Sequence, residues 1–158
     1  GVIFYIDNTG EHGLVASIED LEGLYPWGCD NTYIWASYGI GEGYENTMDI
    51  VSEGCEYYEG NVTAAKATIM FESEGFSDWY LPSLNELSEL YNTLANGVIQ
   101  ANALNSSGGS YYYWSSSSQF TTNGDLSDTW SKSVYFGNGG QVTNGRWELL
   151  KVRPIRSF

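Results

Sequence analysis

The chain has 158 residues, 42% of them hydrophobic and 16% charged, a composition that supports the core of one ordinary domain and argues against disorder. Twenty acidic and six basic residues give a net charge of −14, which excludes nucleic-acid binding and disfavours anionic membranes. No apolar run reaches the roughly 18 to 20 residues that span a bilayer, so direct membrane insertion is not expected. We expect a single domain over residues 1–158.

The first part of the chain predicts a hairpin, an irregular region and a short helix. Residues 2–6 are a β-rich run, and residues 14–17 follow a turn as the partner strand. Residues 21–43 are rich in Gly, Trp and Tyr without a sustained period, which indicates a long irregular region. A short helix is expected over residues 45–51.

Two further helices carry clearer signals. The first is expected over residues 62–72, with Asn61 as its cap and Ala65, Ile69 and Met70 on its inner face. That face follows the spacing of an amphipathic helix.

The second of these helices begins with a capping box. Ser83 is expected to accept a hydrogen bond from the Glu86 amide, while the Glu86 side chain accepts from the Ser83 amide. The apolar residues that follow at spacings of three and four are Leu84, Leu87, Leu90, Tyr91 and Leu94.

After this helix the sequence becomes rich in Ser, Gly, Asn and Thr. Residues 133–136 alternate like a strand, with Val134 inward and Ser133 and Tyr135 outward. Residues 149–155 predict a closing strand. Strands at both ends of the chain with helices between them indicate an α+β fold.

Charge is divided unevenly along the chain. Residues 1–131 carry a net charge of −18 and residues 132–158 carry +4. We interpret this as a basic final segment that lies against an acidic body, in preference to a dedicated anion site.

The sequence offers few groups for catalysis. His12, the only histidine, stands in a predicted turn, where a structural or exposed side chain is expected, and no nucleophile elbow is present. A glycosidase-like carboxylate pair is easily found among twenty acids, so it stays open as an alternative. We expect a protein that is not an enzyme and has no cofactor and no metal site. A structural calcium ion is the lesser alternative, with oxygen ligands available at Asp78, Asp125, Asp128 and residues 42–49.

The two cysteines, Cys29 and Cys55, are too few for a disulfide scaffold and lack the spacing of a zinc or redox motif. The sparse charge and the abundance of Tyr, Ser, Asn and Gly are typical of exported domains. An extracellular setting favours a disulfide between the two over a pair of buried thiols.

Aromatic residues, at 16%, exceed what a core of this size needs. Trp79, Trp114 and Trp130 are expected inside the domain. Tyr111, Tyr112 and Tyr135 stand among Ser and Gly. Antibody paratopes are rich in the same residue types. The composition therefore favours a recognition surface over a fold that is merely rich in loops.

The chain resembles the bacterial Lcl C-terminal-like domain family, named for the C-terminal domain of a Legionella collagen-like adhesin. The resemblance covers nearly the whole chain. It rests on the opening Val2-Ile3-Phe4-Tyr5-Ile6-Asp7 and Thr9-Gly10-Glu11-His12-Gly13-Leu14-Val15-Ala16, on Trp27-Gly28-Cys29, Glu45-Asn46-Thr47, Gly54-Cys55 and Ala64-Ala65, on Asp78-Trp79-Tyr80-Leu81-Pro82-Ser83-Leu84-Asn85-Glu86-Leu87, and on Tyr113-Trp114-Ser115-Ser116-Ser117 and Val152-Arg153-Pro154-Ile155-Arg156-Ser157-Phe158.

The resemblance implies a C-type lectin-like fold of the formylglycine-generating-enzyme subtype, with two main helices and a small mixed or antiparallel sheet. It implies adhesion or ligand binding at a bacterial or phage surface, without formylglycine chemistry. It also implies a homo-oligomer, a trimer in the eponymous adhesin, and a position for Cys29 and Cys55 that suits a disulfide. Many relatives are variable proteins of diversity-generating retroelements, which places a variable-type surface at about residues 118–151.

We therefore expect an extracellular or cell-surface binding domain that recognises a protein or glycan through residues 119–147. A carbohydrate-active enzyme and a structural oligomerisation head of a fibre are the alternatives. Tyr135, Arg146 and Trp147 are expected to dominate binding, because aromatic and Arg side chains usually do so. The complete set of predicted ligand-binding residues is Gln119, Phe120, Thr121, Asn123, Ser131, Ser133, Tyr135, Asn138, Asn144, Arg146 and Trp147.

Overall fold

A computed structural model describes residues 1–55, 62–95, 111–121 and 123–158. Within these ranges the chain has three helices and two three-stranded antiparallel sheets, which confirms the α+β class. The helices correspond to the short helix and the two main helices expected. The elements in chain order are β1 (Val2–Ile6), β2 (Gly13–Ala16), α1 (Gly43–Ser52), α2 (Ala64–Ile69), α3 (Leu84–Ala95), β3 (Tyr112–Phe120), β4 (Leu126–Tyr135), β5 (Gly140–Gly145) and β6 (Ile155–Ser157).

The first sheet has the order β1-β2-β6 and contains the predicted N-terminal hairpin. The closing strand predicted over residues 149–155 is wrong in extent, because β6 begins only at Ile155. The preceding segment makes isolated bridges, Leu150 with Tyr25 and Lys151 with Tyr113 of β3. Pro154 has no amide hydrogen to donate, which limits ladder formation before β6. The segment thus connects the two sheets.

The second sheet has the order β3-β4-β5, and β4 is longer than the strand predicted over residues 133–136. In its first half, β4 has apolar residues only at Leu126 and Trp130, so no apolar alternation reveals the strand. It is held by pairing on both sides: Ser131, for example, pairs with Ser118 of β3 and with Asn144 of β5.

The first two helices overlap the ranges predicted for them. α1 confirms the short helix expected after the irregular region. α2 is shorter than expected and is capped by Thr63, whose side chain accepts from the Lys66 amide at 3.3 Å. The predicted cap, Asn61, lies outside the described residues. Ala65 is buried as expected, but the inner placement of Met70 is wrong, because the helix ends at Ile69 and Met70 is exposed at its C-cap.

The capping box of α3 is confirmed. The Ser83 amide donates to Glu86 Oε2 at 2.7 Å, and the Glu86 amide donates to Ser83 Oγ at 3.3 Å. Leu84, Leu87 and Leu90 are buried, as the spacing predicted. The side chain of Leu94 lies outside the described part.

Two hydrophobic clusters form the core. One contains Trp27 and Trp114 packed against the alanines of α2, and the other joins Leu87 of α3 to Val134 of β4. The predicted Cys29–Cys55 disulfide is confirmed and closes the first cluster. No helix in the described ranges is both long and apolar enough to cross a membrane.

Candidate binding face

The serine run in β3 belongs to the frame of the domain, by which we mean the buried polar residues that hold its strands and loops together. Ser115 to Ser118 are all fully buried, and each hydroxyl is hydrogen-bonded. Ser117 accepts from the Leu84 amide at the start of α3 and donates to the carbonyl of Ser37. Ser118 donates to the carbonyl of Ile34 at 2.6 Å. The run therefore fastens the irregular region and the cap of α3 to the second sheet.

Arg146 was predicted as an exposed binding residue, and this placement is wrong. Its side chain is 0% exposed and lies 4.2 Å over the ring of Trp27. The guanidinium donates to the carbonyls of Cys29 (2.9 Å), Thr32 (2.7 Å) and Asp128 (3.1 Å) through Nη1. Further bonds run from Nε to Ser131 Oγ and from Nη2 to the carbonyl of Ser127 and to Ser118 Oγ. Arg146 thus holds the disulfide-bearing loop against β4.

Two carboxylates lie near this buried cation. Burial lowers the pKa of Arg146 to about 10, and the charges of Asp30 and Asp128 oppose that shift. Burial raises the pKa of Asp30, against the opposing effect of Arg146 and with an additional contribution from Asp128. One oxygen of Asp30 is buried without a hydrogen-bond partner. These two acids act as partial counter-charges for Arg146.

The outward orientation predicted for Ser133 is also wrong. Val134 is buried against α3, as expected, but Ser131 and Ser133 are buried on the opposite side of β4. Ser133 donates to Asn144 Oδ1 at 2.6 Å, and Ser131 binds Arg146. The two-residue period assigns side chains to a common face, but it does not reveal that both faces of β4 are covered at Ser133 and Val134.

One part of the sheet is uncovered, and it carries Trp130 and Lys132, which lie on the same face of β4 as Val134 but beyond the part that α3 covers. Trp130 is 42% exposed, so its predicted place in the core is wrong, whereas Trp79 and Trp114 are buried as expected. Trp130 pairs with Gly145 across the sheet, and the ring of Trp147 lies over this glycine. A Cβ atom at position 145 would clash with Cζ2 of Trp147, at a distance of 2.5 Å. The two indoles meet edge to face with centroids 5.3 Å apart, and Trp147 is 45% exposed.

The next row of the same face is polar. Lys132 pairs with Thr143, and its ammonium group donates to Thr143 Oγ1 at 3.0 Å. Thr143 donates in turn to Gln119 Oε1 at 2.9 Å, and Gln119 Nε2 donates to the carbonyl of Phe120. We call the five side chains of these two rows the open face: Gln119, Trp130, Lys132, Thr143 and Trp147.

The open face ends where α3 covers the sheet. Gln141, the strand partner of Val134, donates to Ser88 of α3 at 3.1 Å. The helix therefore protects one end of the sheet and leaves the end with the two tryptophans open.

The other predicted binding residues are not part of the open face. Phe120 is half-buried against Trp35 and Tyr38, and Tyr135 is half-buried against Tyr111 and Tyr112. Asn144 serves the frame through Ser133 and Glu148. The remaining three, all exposed, are Thr121, Asn123 and Asn138.

The basic end of the chain confirms the expectation of a cohesive role for three of its residues. Arg153 and Lys151 both bind the carboxylate of Asp20, at 2.6 and 3.3 Å. Arg156 holds Asp78 through two bonds of 2.7 Å, and these bonds lower the pKa of Asp78. Lys132 has no carboxylate partner among the residues that the structure describes.

The structure shows the surroundings of some of the groups considered for catalysis or metal binding. His12 is exposed, in keeping with the sequence. Asp78, one of the acids named for calcium, is engaged by Arg156. In the part of the chain that the structure covers, no three His, Cys, Asp or Glu side chains are grouped as a metal ion would require.

A scan against protein-family models gives no match to the chain. A search of curated protein sequences finds no match either.

Proposed function

We propose that the domain is a non-catalytic binding module displayed at a bacterial or phage surface, and that it recognises a protein or glycan through the open face. The observation that supports this most is the exposed Trp130–Trp147 pair beside a polar row on a sheet end that α3 leaves uncovered. Tryptophan is among the residue types that dominate binding surfaces, because it buries a large rigid area at low entropic cost.

The frame beneath this face supports the same proposal. The buried serine run, Arg146 and the Cys29–Cys55 disulfide fix the loops and strands independently of the open face. A rigid scaffold with side chains that it does not need for stability is what a binding module requires. The α+β architecture is compatible with the C-type lectin-like fold of the Lcl C-terminal-like family, which we propose for this chain.

Retroelement diversification is part of the proposal. If residues 118–151 are diversified, substitutions among natural copies of the sequence should concentrate on the open face and spare the buried Ser131, Ser133 and Arg146. Sequencing of closely related loci measures this distribution. Substitutions spread evenly over buried and exposed positions would contradict it.

The binding proposal is tested by screening the fluorescently labelled domain against a glycan array and a library of extracellular protein domains. Ligands should be retained by Tyr44→Ala, which removes an exposed aromatic ring from α1, and lost in Trp130→Ala and Trp147→Ala. All three variants should melt within a few degrees of the wild type, because none removes a buried side chain. Ligands that bind the tryptophan variants as well as the wild type would contradict the assignment of the open face.

A further inference from the structure

We propose that the open face binds a carboxylate-bearing sugar, with the carboxylate held by Lys132 and the sugar ring lying against the indoles of Trp130 and Trp147. This inference rests on the proposed binding function and names its ligand class.

The ammonium group of Lys132 has N–H donors that the polar row does not use. The Thr143 hydroxyl accepts from Lys132 and donates to Gln119, and the Gln119 amide is engaged through both its oxygen and its nitrogen. An ammonium group has three N–H donors, and one of those on Lys132 is used by Thr143. A ligand that engages the two remaining N–H donors of Lys132 must supply acceptor oxygens.

Charge makes an anionic acceptor the best complement to this row. Lys151, Arg153 and Arg156 are matched by carboxylates of the chain, and Arg146 is enclosed in the frame. Lys132 is the basic residue of the C-terminal segment that has no carboxylate partner within the described ranges. Hydrogen bonds from an ammonium group to a carboxylate are about twice as strong as neutral ones.

The spacing of the two rows fits a compact ligand. Trp130 and Lys132 stand two residues apart on the same face of β4, which places their Cα atoms about 7 Å apart. A sugar ring that carries a carboxylate spans both rows, with its C–H face on an indole and its carboxylate at the ammonium group.

Size and overall charge favour a carboxylate-bearing sugar over a protein and over a sulfated polymer. A stable protein interface engages roughly 20 to 30 residues on each side, whereas the open face has five and is bounded by α3. A sulfated polymer carries many negative charges, which a chain of net charge −14 repels. A single carboxylate needs to contact only Lys132.

The test uses 3′-sialyllactose as the probe and lactose as its neutral counterpart, with binding measured by saturation-transfer NMR and calorimetry. We expect sialyllactose to bind at least tenfold more tightly than lactose, and less tightly as NaCl is raised. Lys132→Gln should remove this preference and Lys132→Arg should keep most of it. Lys66→Gln removes the same charge from an exposed site on α2 and should change nothing.

Each other outcome overturns the inference in a recognisable way. Equal binding of the two sugars, or an unchanged preference in Lys132→Gln, refutes the role of the ammonium group. Heparin binding more tightly than sialyllactose would mean that a polyanion is the ligand. If neither sugar binds but Trp130→Ala abolishes binding of a protein from the library, the sugar inference is wrong and the binding function stands.

Discussion

Replacement of Arg146 by Ala is expected to destabilise the domain severely. The substitution removes the donor from the carbonyls of Cys29, Thr32, Ser127 and Asp128 and leaves a void beside Trp27. Removing one side of a buried charged network typically costs about 3–5 kcal/mol. That is a large part of the roughly 5–15 kcal/mol that stabilises an ordinary domain.

Urea denaturation followed by tryptophan fluorescence measures this loss. With a denaturant slope of about 2 kcal/mol per molar, the midpoint should fall by roughly 2 M. The control is Lys132→Ala, which removes a basic side chain from the open face and should change the unfolding free energy by no more than about 0.5 kcal/mol.

A small effect would refute the reasoning. If Arg146→Ala costs less than about 1 kcal/mol and instead weakens ligand binding per folded molecule, the guanidinium belongs to the binding surface. That result would restore the role that the sequence alone suggested for Arg146.

The disulfide, the α3 helix and the buried glutamate give three further predictions. Replacing Cys29 and Cys55 by Ser opens a loop with a sequence separation of 26 and should cost about 3–4 kcal/mol in a urea titration; an unchanged midpoint would count against a formed disulfide. In the same assay Ser83→Ala should cost about 1 kcal/mol and Leu87→Ala about 2–5 kcal/mol, and similar small losses at both would mean that the helix is misplaced. Burial raises the pKa of Glu86 above 4.5, so its contribution to stability is complete below pH 4.5 and is lost as the pH rises through the folded-state pKa. The stability difference between wild type and Glu86→Gln should therefore shrink above pH 4.5, and a difference that stays constant with pH contradicts this.

Local signals predicted the elements whose residues interact with near neighbours in the chain. The capping box of Ser83 and Glu86 and the spacing of Leu84, Leu87 and Leu90 set both the start and the inner face of α3. A helix needs only contacts three and four residues apart, so its pattern is visible in a short stretch of sequence.

The sequence-based prediction of which side chains are exposed was wrong where burial depends on segments far away in the chain. Arg146 has the chemistry of a hot-spot residue, but its hydrogen-bond partners lie 15 to 117 positions away in the chain. Trp130 looked like a core residue, yet α3 covers only the end of the sheet that contains Val134. An alternating pattern does not indicate which half of a strand a helix will cover.

The sequence by itself determined the class of fold, the cap of α3 and the acidic net charge, because each depends on composition or on local spacing. It favoured the Cys29–Cys55 disulfide, which the structure contains. Only the tertiary structure decided which polar residues became frame and which became surface. Serine, arginine and tryptophan are stable in either setting, provided that their hydrogen-bonding groups find partners. Whether those partners are backbone carbonyls or solvent depends on packing between segments far apart in the chain.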